Sequence, residues 1–207
     1  MASARRRSPS QARSRAMVER IVSAGARVLE DSGYQDASTN RIAREAGISP
    51  GSLYQYYPDK DAIVAEIILR LIDDFATAIT PALRAAAFEA PPDAIRLILG
   101  AVLDALQQQT ALLRALADRV PAIEQQEALR PVRGRLADFV YHSLAARRGA
   151  LRHPDLERTT WMIVELTQQL LVRYVLDAPP IEREDFLADT SRIVLDLAYR
   201  AEDWTGQ

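Results

Sequence analysis

The fold of this chain is decided by residues 38–60, which have the sequence STNRIAREAGISPGSLYQYYPDK. This stretch predicts two short helices joined by a glycine turn, with a longer helix beginning at its end. Ser38 or Thr39 can cap the first short helix, and Gly47 suits the left-handed residue that ends it. Ser49 can cap the second, followed by a proline at the first helical position, where a missing N–H does no harm. The pattern is typical of a helix-turn-helix.

The second short helix carries polar and aromatic groups that a protein core would not need. Leu53 points inward and anchors this helix. The residues left to face out are Pro50, Gly51, Ser52, Tyr54, Gln55 and Tyr56. Because the second helix of a helix-turn-helix enters the major groove, these residues predict a surface that binds double-stranded DNA.

Lys60 is the only lysine of the chain, and it stands at the predicted start of the longer helix. The helix dipole disfavours a cation there by roughly 0.3–1 kcal/mol. A phosphate held jointly by the ammonium group and the free N–H groups of the helix would explain the placement. The alternative is a solvated surface lysine.

The segment IAREAGISPGSLYQYYPDK (residues 42–60) resembles the signature of the tetracycline-repressor (TetR) family. The resemblance is close over about residues 14–62, and it implies a bacterial regulator with a three-helix DNA-binding domain and a variable helical domain. The second domain of such proteins dimerises and often binds a small effector. By matched position, together with the caps described above, the DNA-binding residues are predicted to be Ser38, Thr39, Ser49, Pro50, Gly51, Ser52, Tyr54, Gln55, Tyr56 and Lys60. Position 50 is often basic or polar in the family, but a proline there leaves only apolar contact with a base.

Charge is distributed unevenly along the 207 residues, although the net charge is only −2. Residues 1–60 hold ten Lys/Arg against six Asp/Glu, and residues 61–207 hold sixteen against twenty-two. The positive part coincides with the motif, as a DNA-binding surface requires. We therefore expect a flexible basic arm at 1–13, a DNA-binding domain at 14–60 and a dimerisation and effector domain at 61–207.

Composition predicts an all-α protein, because no stretch alternates with a period of two for long enough to indicate a sheet. The chain has no cysteine, which excludes disulfides and thiol chemistry and fits a cytoplasmic protein. Its two histidines lack the spacing of metal ligands, so neither a metal site nor a cofactor is expected. Few groups remain from which an active site could be built, so an enzyme is not predicted. The helix at about 155–177 is too interrupted by polar residues to span a membrane.

The last two predicted helices, at about 155–177 and 182–202, expose apolar surface and predict a homodimer through a two-fold four-helix bundle. The interface residues are predicted to be Leu166, Leu170, Tyr174, Phe186, Ile193, Val194 and Leu197. Polar or aromatic groups on otherwise apolar helices are the candidates for binding an effector of unknown identity. They are His142, Trp161, Glu165, Gln168 and Gln169.

Together, these expectations predict a dimeric repressor that binds a palindromic operator and is released from it by a small molecule. One alternative is a helical protein-interaction module without DNA binding. Another is an activator or a protein that coats DNA without sequence preference. A specific site binds about 10³–10⁷ times more tightly than random DNA at physiological salt, which separates a sequence-specific regulator from a coating protein.

Overall fold

The computed structural model describes residues 9–117 and 130–200, and these residues form nine α-helices without a β-sheet. The all-α prediction is confirmed. The helices are α1 Pro9–Asp36, α2 Thr39–Glu45, α3 Pro50–Tyr54, α4 Lys60–Ala86, α5 Pro91–Gln108, α6 Thr110–Leu116, α7 Arg130–Ala145, α8 Leu156–Asp177 and α9 Arg183–Ala198. A short 3₁₀ turn, Arg148–Ala150, follows α7. None of the described helices combines the length and apolar character needed to cross a membrane.

Helix α1 begins earlier than the sequence predicted. Its first residue is Pro9, so residues 9–13 are helical rather than part of the flexible basic arm expected over 1–13. Proline suits the first turn of a helix, and nothing in the four residues after it breaks one. Residues 1–8, with three of the arginines of the expected arm, lie outside the described residues.

The break at the other end of α1 depends on a glycine. Gly33 has φ 71° and ψ 171°, a conformation that residues with a Cβ rarely adopt, and it interrupts the helical geometry before Tyr34. Residues 34–36 then resume a helical turn that leads into α2. The carbonyl groups at this end of α1 therefore need partners from outside the helix.

The first of two compact units contains the described residues up to Leu71 and from Arg114 to residue 117. Each of its first four helices contributes fully buried side chains, namely Ile21, Leu29, Ile42, Leu53 and Ile63. The expected boundary at residue 60 is too early, because the first turns of α4 supply Ile63 and Ile67 to this core. Both are close to Gly25 of α1, where an added Cβ would lie 2.9 Å from Cγ2 of Ile63 and 3.0 Å from Cδ1 of Ile67.

The second unit contains Ile72–Leu113 and the described residues from Arg130 onward. One apolar cluster draws on α4, α5, α8 and α9, with Leu103, Leu171 and Leu187 among its most buried members. A second cluster forms around Leu144 of α7 and Leu151, which makes an isolated antiparallel bridge with Tyr199. Within this unit α8 buries one face, which includes Ile163, Thr167 and Leu171.

Candidate nucleic-acid interface

Two serines hold the start of α3. The hydroxyl of Ser49 accepts a hydrogen bond from the backbone N–H of Ser52 at 3.1 Å, and the two hydroxyl oxygens lie 2.9 Å apart. The cap predicted for Ser49 is therefore present. The hydroxyl of Ser52 already has a partner in the protein, so a contact from Ser52 to a DNA base requires it to turn away from Ser49 or to donate while it accepts.

The outward side of α3 is open. Pro50, Gly51, Tyr54 and Gln55 are exposed, whereas Leu53 is fully buried. An added Cβ at Gly51 would meet only the Ser49 hydroxyl, at 3.9 Å. The interior of the protein therefore does not require a glycine at this position.

A hydrogen bond joins the start of α2 to the end of α3. Oγ1 of Thr39 lies 3.0 Å from the phenolic oxygen of Tyr54, whose residue is 52 % exposed. Next to Thr39, the hydroxyl of Ser38 caps α2 by accepting from the N–H of Arg41 at 3.3 Å. The structure thus brings the start of α2 and the end of α3 together through Thr39 and Tyr54.

The two other aromatic residues after α3 are half-buried. Tyr56 is one of the predicted DNA-binding residues, and Tyr57 follows it in the chain. Burial, and after it the carboxylate of Glu66, raises the pKa of the Tyr57 phenol above its ordinary value. Tyr57 is therefore neutral at physiological pH and packs as an uncharged ring.

Two arginines of α1 hold the end of α2, and the sequence pattern alone did not identify them. Nη2 of Arg20 donates to the carbonyl oxygens of Ala46, at 2.6 Å, and Gly47, at 3.3 Å. These carbonyls follow the last turn of α2, where no helical partner is available. Arg27, seven residues further along α1 and on the same face, donates to Glu45 at 2.7 Å. The spacing of seven between two basic residues was the available signal.

Lys60 lies in a more enclosed setting than the sequence suggested. Its Nζ donates to the carbonyl oxygens of Tyr34, at 2.9 Å, and Ala37, at 3.1 Å. The same nitrogen lies 4.1 Å from the centroid of the Tyr34 ring. The prediction of a phosphate contact remains untested, but two of the three N–H bonds of the ammonium group already have acceptors.

The effector candidates do not line the interior of the second unit. His142, Trp161 and Gln169 are exposed, and Glu165 and Gln168 are partly exposed. Their part in effector binding stays a prediction. On α8 the buried face includes Ile163, Thr167 and Leu171 instead of the candidate residues.

The predicted dimer residues fall into two groups. Phe186 and Val194 are buried within their own protomer, 9 % and 4 % exposed, which leaves little of either side chain to contact a partner. Tyr174 stacks on Phe186 with ring centroids 4.0 Å apart, and it belongs to the same internal packing. Leu170 and Leu197 are half-buried. Leu166 and Ile193 remain outward, 37 % and 45 % exposed.

Comparison with known families matches most of the chain. The family described as "Bacterial regulatory proteins, tetR family" matches residues 21–67, and "Tetracyclin repressor-like, C-terminal domain" matches residues 90–196. The HTH-type transcriptional regulator HbdR of Aromatoleum sp. (strain CIB) is 36 % identical over 55 residues, which are 27 % of this chain and 24 % of that protein. The HTH-type transcriptional regulator SAUSA300_2515 of Staphylococcus aureus (strain USA300) is 36 % identical over 59 residues, 28 % of this chain and 32 % of that protein. The alignments thus span about a quarter to a third of these relatives.

Solved structures resemble the fold over nearly its whole length. The fatty acid degradation regulator FadR from Bacillus halodurans superposes with a TM-score of 0.69 at 14 % identity, covering 92 % of this chain and 97 % of that one. The TetR family regulator PfmR from Thermus thermophilus gives a TM-score of 0.63 at 19 % identity, covering 86 % and 97 %. At these identities the likeness establishes the fold alone.

Proposed function

This chain belongs to the tetR family of bacterial regulatory proteins and is a DNA-binding transcriptional regulator of the helix-turn-helix type, and we propose that it acts as a dimeric repressor on a palindromic operator. The observation that carries the proposal is the open face of α3. Pro50, Gly51, Tyr54 and Gln55 are exposed while Leu53 holds the helix from behind. A helix presented in this way can enter the major groove.

Each outward residue has a role that follows from its chemistry. Gln55 can make paired hydrogen bonds with an adenine edge, and Pro50 can meet a thymine methyl group. Gly51 allows the backbone to come near the bases. The hydroxyls of Ser38, Thr39, Ser49, Ser52 and Tyr54, and the half-buried Tyr56, are suited to phosphate and sugar contacts that set the position of the protein on the duplex.

Dimerisation would set the geometry of the operator. A protein with two-fold symmetry reads two inverted half-sites, separated by about 34–36 Å or a multiple of it. Leu166 and Ile193 are large apolar side chains left exposed on α8 and α9, which supports an interface at these helices. In a bacterial cell such a regulator works in the cytoplasm, where its operator is.

The proposed release by a small molecule concerns the second unit. The match of residues 90–196 to the C-terminal family domain supports it. The apolar clusters of the second unit favour an apolar or amphipathic effector. Substitution of Glu165 or Gln169 tests two of the candidate residues, because unchanged release of DNA by an identified effector would remove that residue from the set.

The experiment that tests the proposal is selection of duplex DNA from a random pool by the purified protein. We expect enrichment of an inverted repeat, lost on Tyr56→Ala and altered in sequence at one position of each half-site on Gln55→Ala. Phe88→Ala is the control, because Phe88 is an aromatic residue 90 % exposed in the second unit. No enrichment would favour the protein-interaction module, and equal affinity for enriched and random DNA would favour a coating protein.

A further inference from the structure

Lys60 is held by three contacts that all come from the last turn of α1 and the residue that follows it. Its Nζ lies 2.9 Å from the carbonyl oxygen of Tyr34, 3.1 Å from that of Ala37 and 4.1 Å from the Tyr34 ring centroid. The next residue of α4, Asp61, accepts a hydrogen bond from the hydroxyl of Tyr34. The first turn of α4 therefore holds Tyr34 at its backbone, its ring face and its hydroxyl.

This arrangement explains why a lysine stands at a helix N-terminus. The positive end of the α4 dipole disfavours the ammonium group, but Lys60 donates to the carbonyl oxygens of Tyr34, in the last turn of α1, and of Ala37, just after that helix. Both carbonyls follow Gly33, where the regular helix is broken. Charged donors make hydrogen bonds about twice as strong as neutral ones, so the contacts are stabilising without any phosphate.

The residues that follow Ala37 belong to the proposed DNA surface. Ser38 caps α2, and Thr39 hydrogen-bonds with Tyr54 of α3 at 3.0 Å. Ala37 itself is 4 % exposed, so its backbone cannot move without changing the packing. A displacement of the Ala37 carbonyl is therefore passed to Ser38 and Thr39 and, through their contacts, to Tyr54.

We propose that Lys60 acts in DNA binding as a positioning residue, which fixes the segment from Tyr34 to Ala37 and so places the start of α2 and, through Thr39, the end of α3, rather than as a phosphate ligand. The inference rests on the proposed function in one respect, because α2 and α3 must form the surface that meets the operator. It differs from the phosphate prediction in a measurable way. A phosphate ligand has to turn its ammonium group toward DNA, whereas a positioning residue keeps its contacts in the complex.

The single lysine makes a direct test possible on the unmodified chain. Protein labelled with ¹³C-lysine gives one set of Lys60 side-chain resonances. Because the ammonium group lies over the Tyr34 ring, we expect the Hε protons to be shifted upfield in the free protein and to stay there in the complex with the selected operator. Tyr34→Leu removes the ring and provides the assignment. Movement of this signal toward its random-coil position on binding would overturn the proposal.

Salt dependence provides the second test. Each phosphate contact contributes about 0.9 to the magnitude of the slope of log K against log[salt], so the loss of one contact from each protomer of a dimer lowers that magnitude by about 1.8. For Lys60→Met we expect operator affinity to fall by roughly tenfold at every salt concentration, with the slope unchanged. Lys60→Arg, which keeps the charge and can donate to both carbonyls, is expected to retain most of the affinity.

Arg84→Met is the matched control, because Arg84 is an exposed cation of the same helix in the part that belongs to the second unit. It is expected to change neither the affinity nor the slope. A slope whose magnitude falls by about 1.8 in dimeric Lys60→Met, about 0.9 for each bound protomer, would overturn the proposal. If Lys60→Met does not fold, the resonance measurement on the wild-type chain decides alone. Binding of the wild-type chain to the selected duplex is measured before the variants. Failure of the wild-type chain to bind any selected duplex would contradict the operator function and not the role of Lys60.

Discussion

The side-chain oxygens of Thr39 and Tyr54 lie 3.0 Å apart and form a hydrogen bond between the first residue of α2 and the last residue of α3. The bond links the two helices on either side of the turn through their exposed side chains. It holds the Tyr54 hydroxyl, on a half-exposed side chain, at a defined position before DNA arrives. A preformed arrangement lowers the entropy that binding must overcome.

We predict that Thr39→Val and Tyr54→Phe each weaken operator binding, and that the double variant is hardly weaker than either single one. The reason is that both changes remove the same hydrogen bond, worth about 0.5–1.5 kcal/mol, so their effects are not additive. Fluorescence anisotropy with a labelled operator measures the four affinities. Thr110→Val, which removes a hydroxyl bonded to Gln107 in the second unit, is the control. Fully additive losses would show that the two hydroxyls act on DNA independently.

The second prediction concerns Gly51, where stability and binding are expected to change in opposite directions. Alanine is favoured over glycine in a helix by up to about 1 kcal/mol, and the only atom near an added Cβ is 3.9 Å away. Gly51→Ala should therefore leave the free energy of unfolding unchanged or raise it. Operator affinity should fall by tenfold or more, about 1.4 kcal/mol, because the methyl group stands between the helix and the bases.

Urea denaturation and anisotropy, measured on the same sample, test this separation. Gly134→Ala is the control, because a Cβ there meets no atom of the described residues within 4 Å and Gly134 lies on α7, in the second unit. It should gain stability and bind the operator as the wild type does. Unchanged binding by Gly51→Ala would mean that α3 does not approach the bases at this residue.

A third prediction concerns the contact between α1 and α4. Gly25→Ala places a Cβ 2.9 Å from Cγ2 of Ile63 and 3.0 Å from Cδ1 of Ile67. Overpacking of this kind costs about 1–3 kcal/mol, more than the gain of about 1 kcal/mol in helix propensity, so we expect a lower free energy of unfolding. Gly100→Ala, in α5 and with its nearest atom at 3.9 Å, should be neutral or stabilising. A pair of variants with equal stability would show that α4 can move away from α1 at no cost.

The sequence was sufficient to predict features in which the interacting residues are only a few positions apart. The caps at Ser38 and Ser49 and the positive φ of Gly47 depend on neighbours up to three positions away, and all three are present. The buried anchor Leu53 follows from the same local pattern. Such features are decided by backbone chemistry before the helices pack.

Contacts between distant residues could not be predicted in the same way. Arg20 meets Ala46, and Lys60 meets Tyr34, across 26 positions each, so the pairs depend on how α1 packs against α2 and α4. The same holds for burial within one helix. Phe186 and Ile193 are seven residues apart and lie on nearly the same face of α9, yet one is 9 % and the other 45 % exposed. Periodicity defines a face, but the neighbours that cover each part of it come from elsewhere in the chain.

The last prediction concerns the homodimer and uses that difference in exposure. Ile193→Glu should convert the dimer to a monomer at micromolar concentration, because two-fold symmetry places the new charge in the interface twice and removes buried apolar area worth about 25 cal/mol per Å². Ile181→Glu is the matched control, since Ile181 is 46 % exposed but lies in the loop between α8 and α9. Light scattering after size-exclusion chromatography distinguishes the two states. The monomer should also bind a single half-site more weakly than the dimer binds the full operator, because it loses the contacts of the second recognition helix. If Ile193→Glu remained dimeric while Ile181→Glu dissociated, the interface would lie at the loop, and the assignment to the outward faces of α8 and α9 would be wrong.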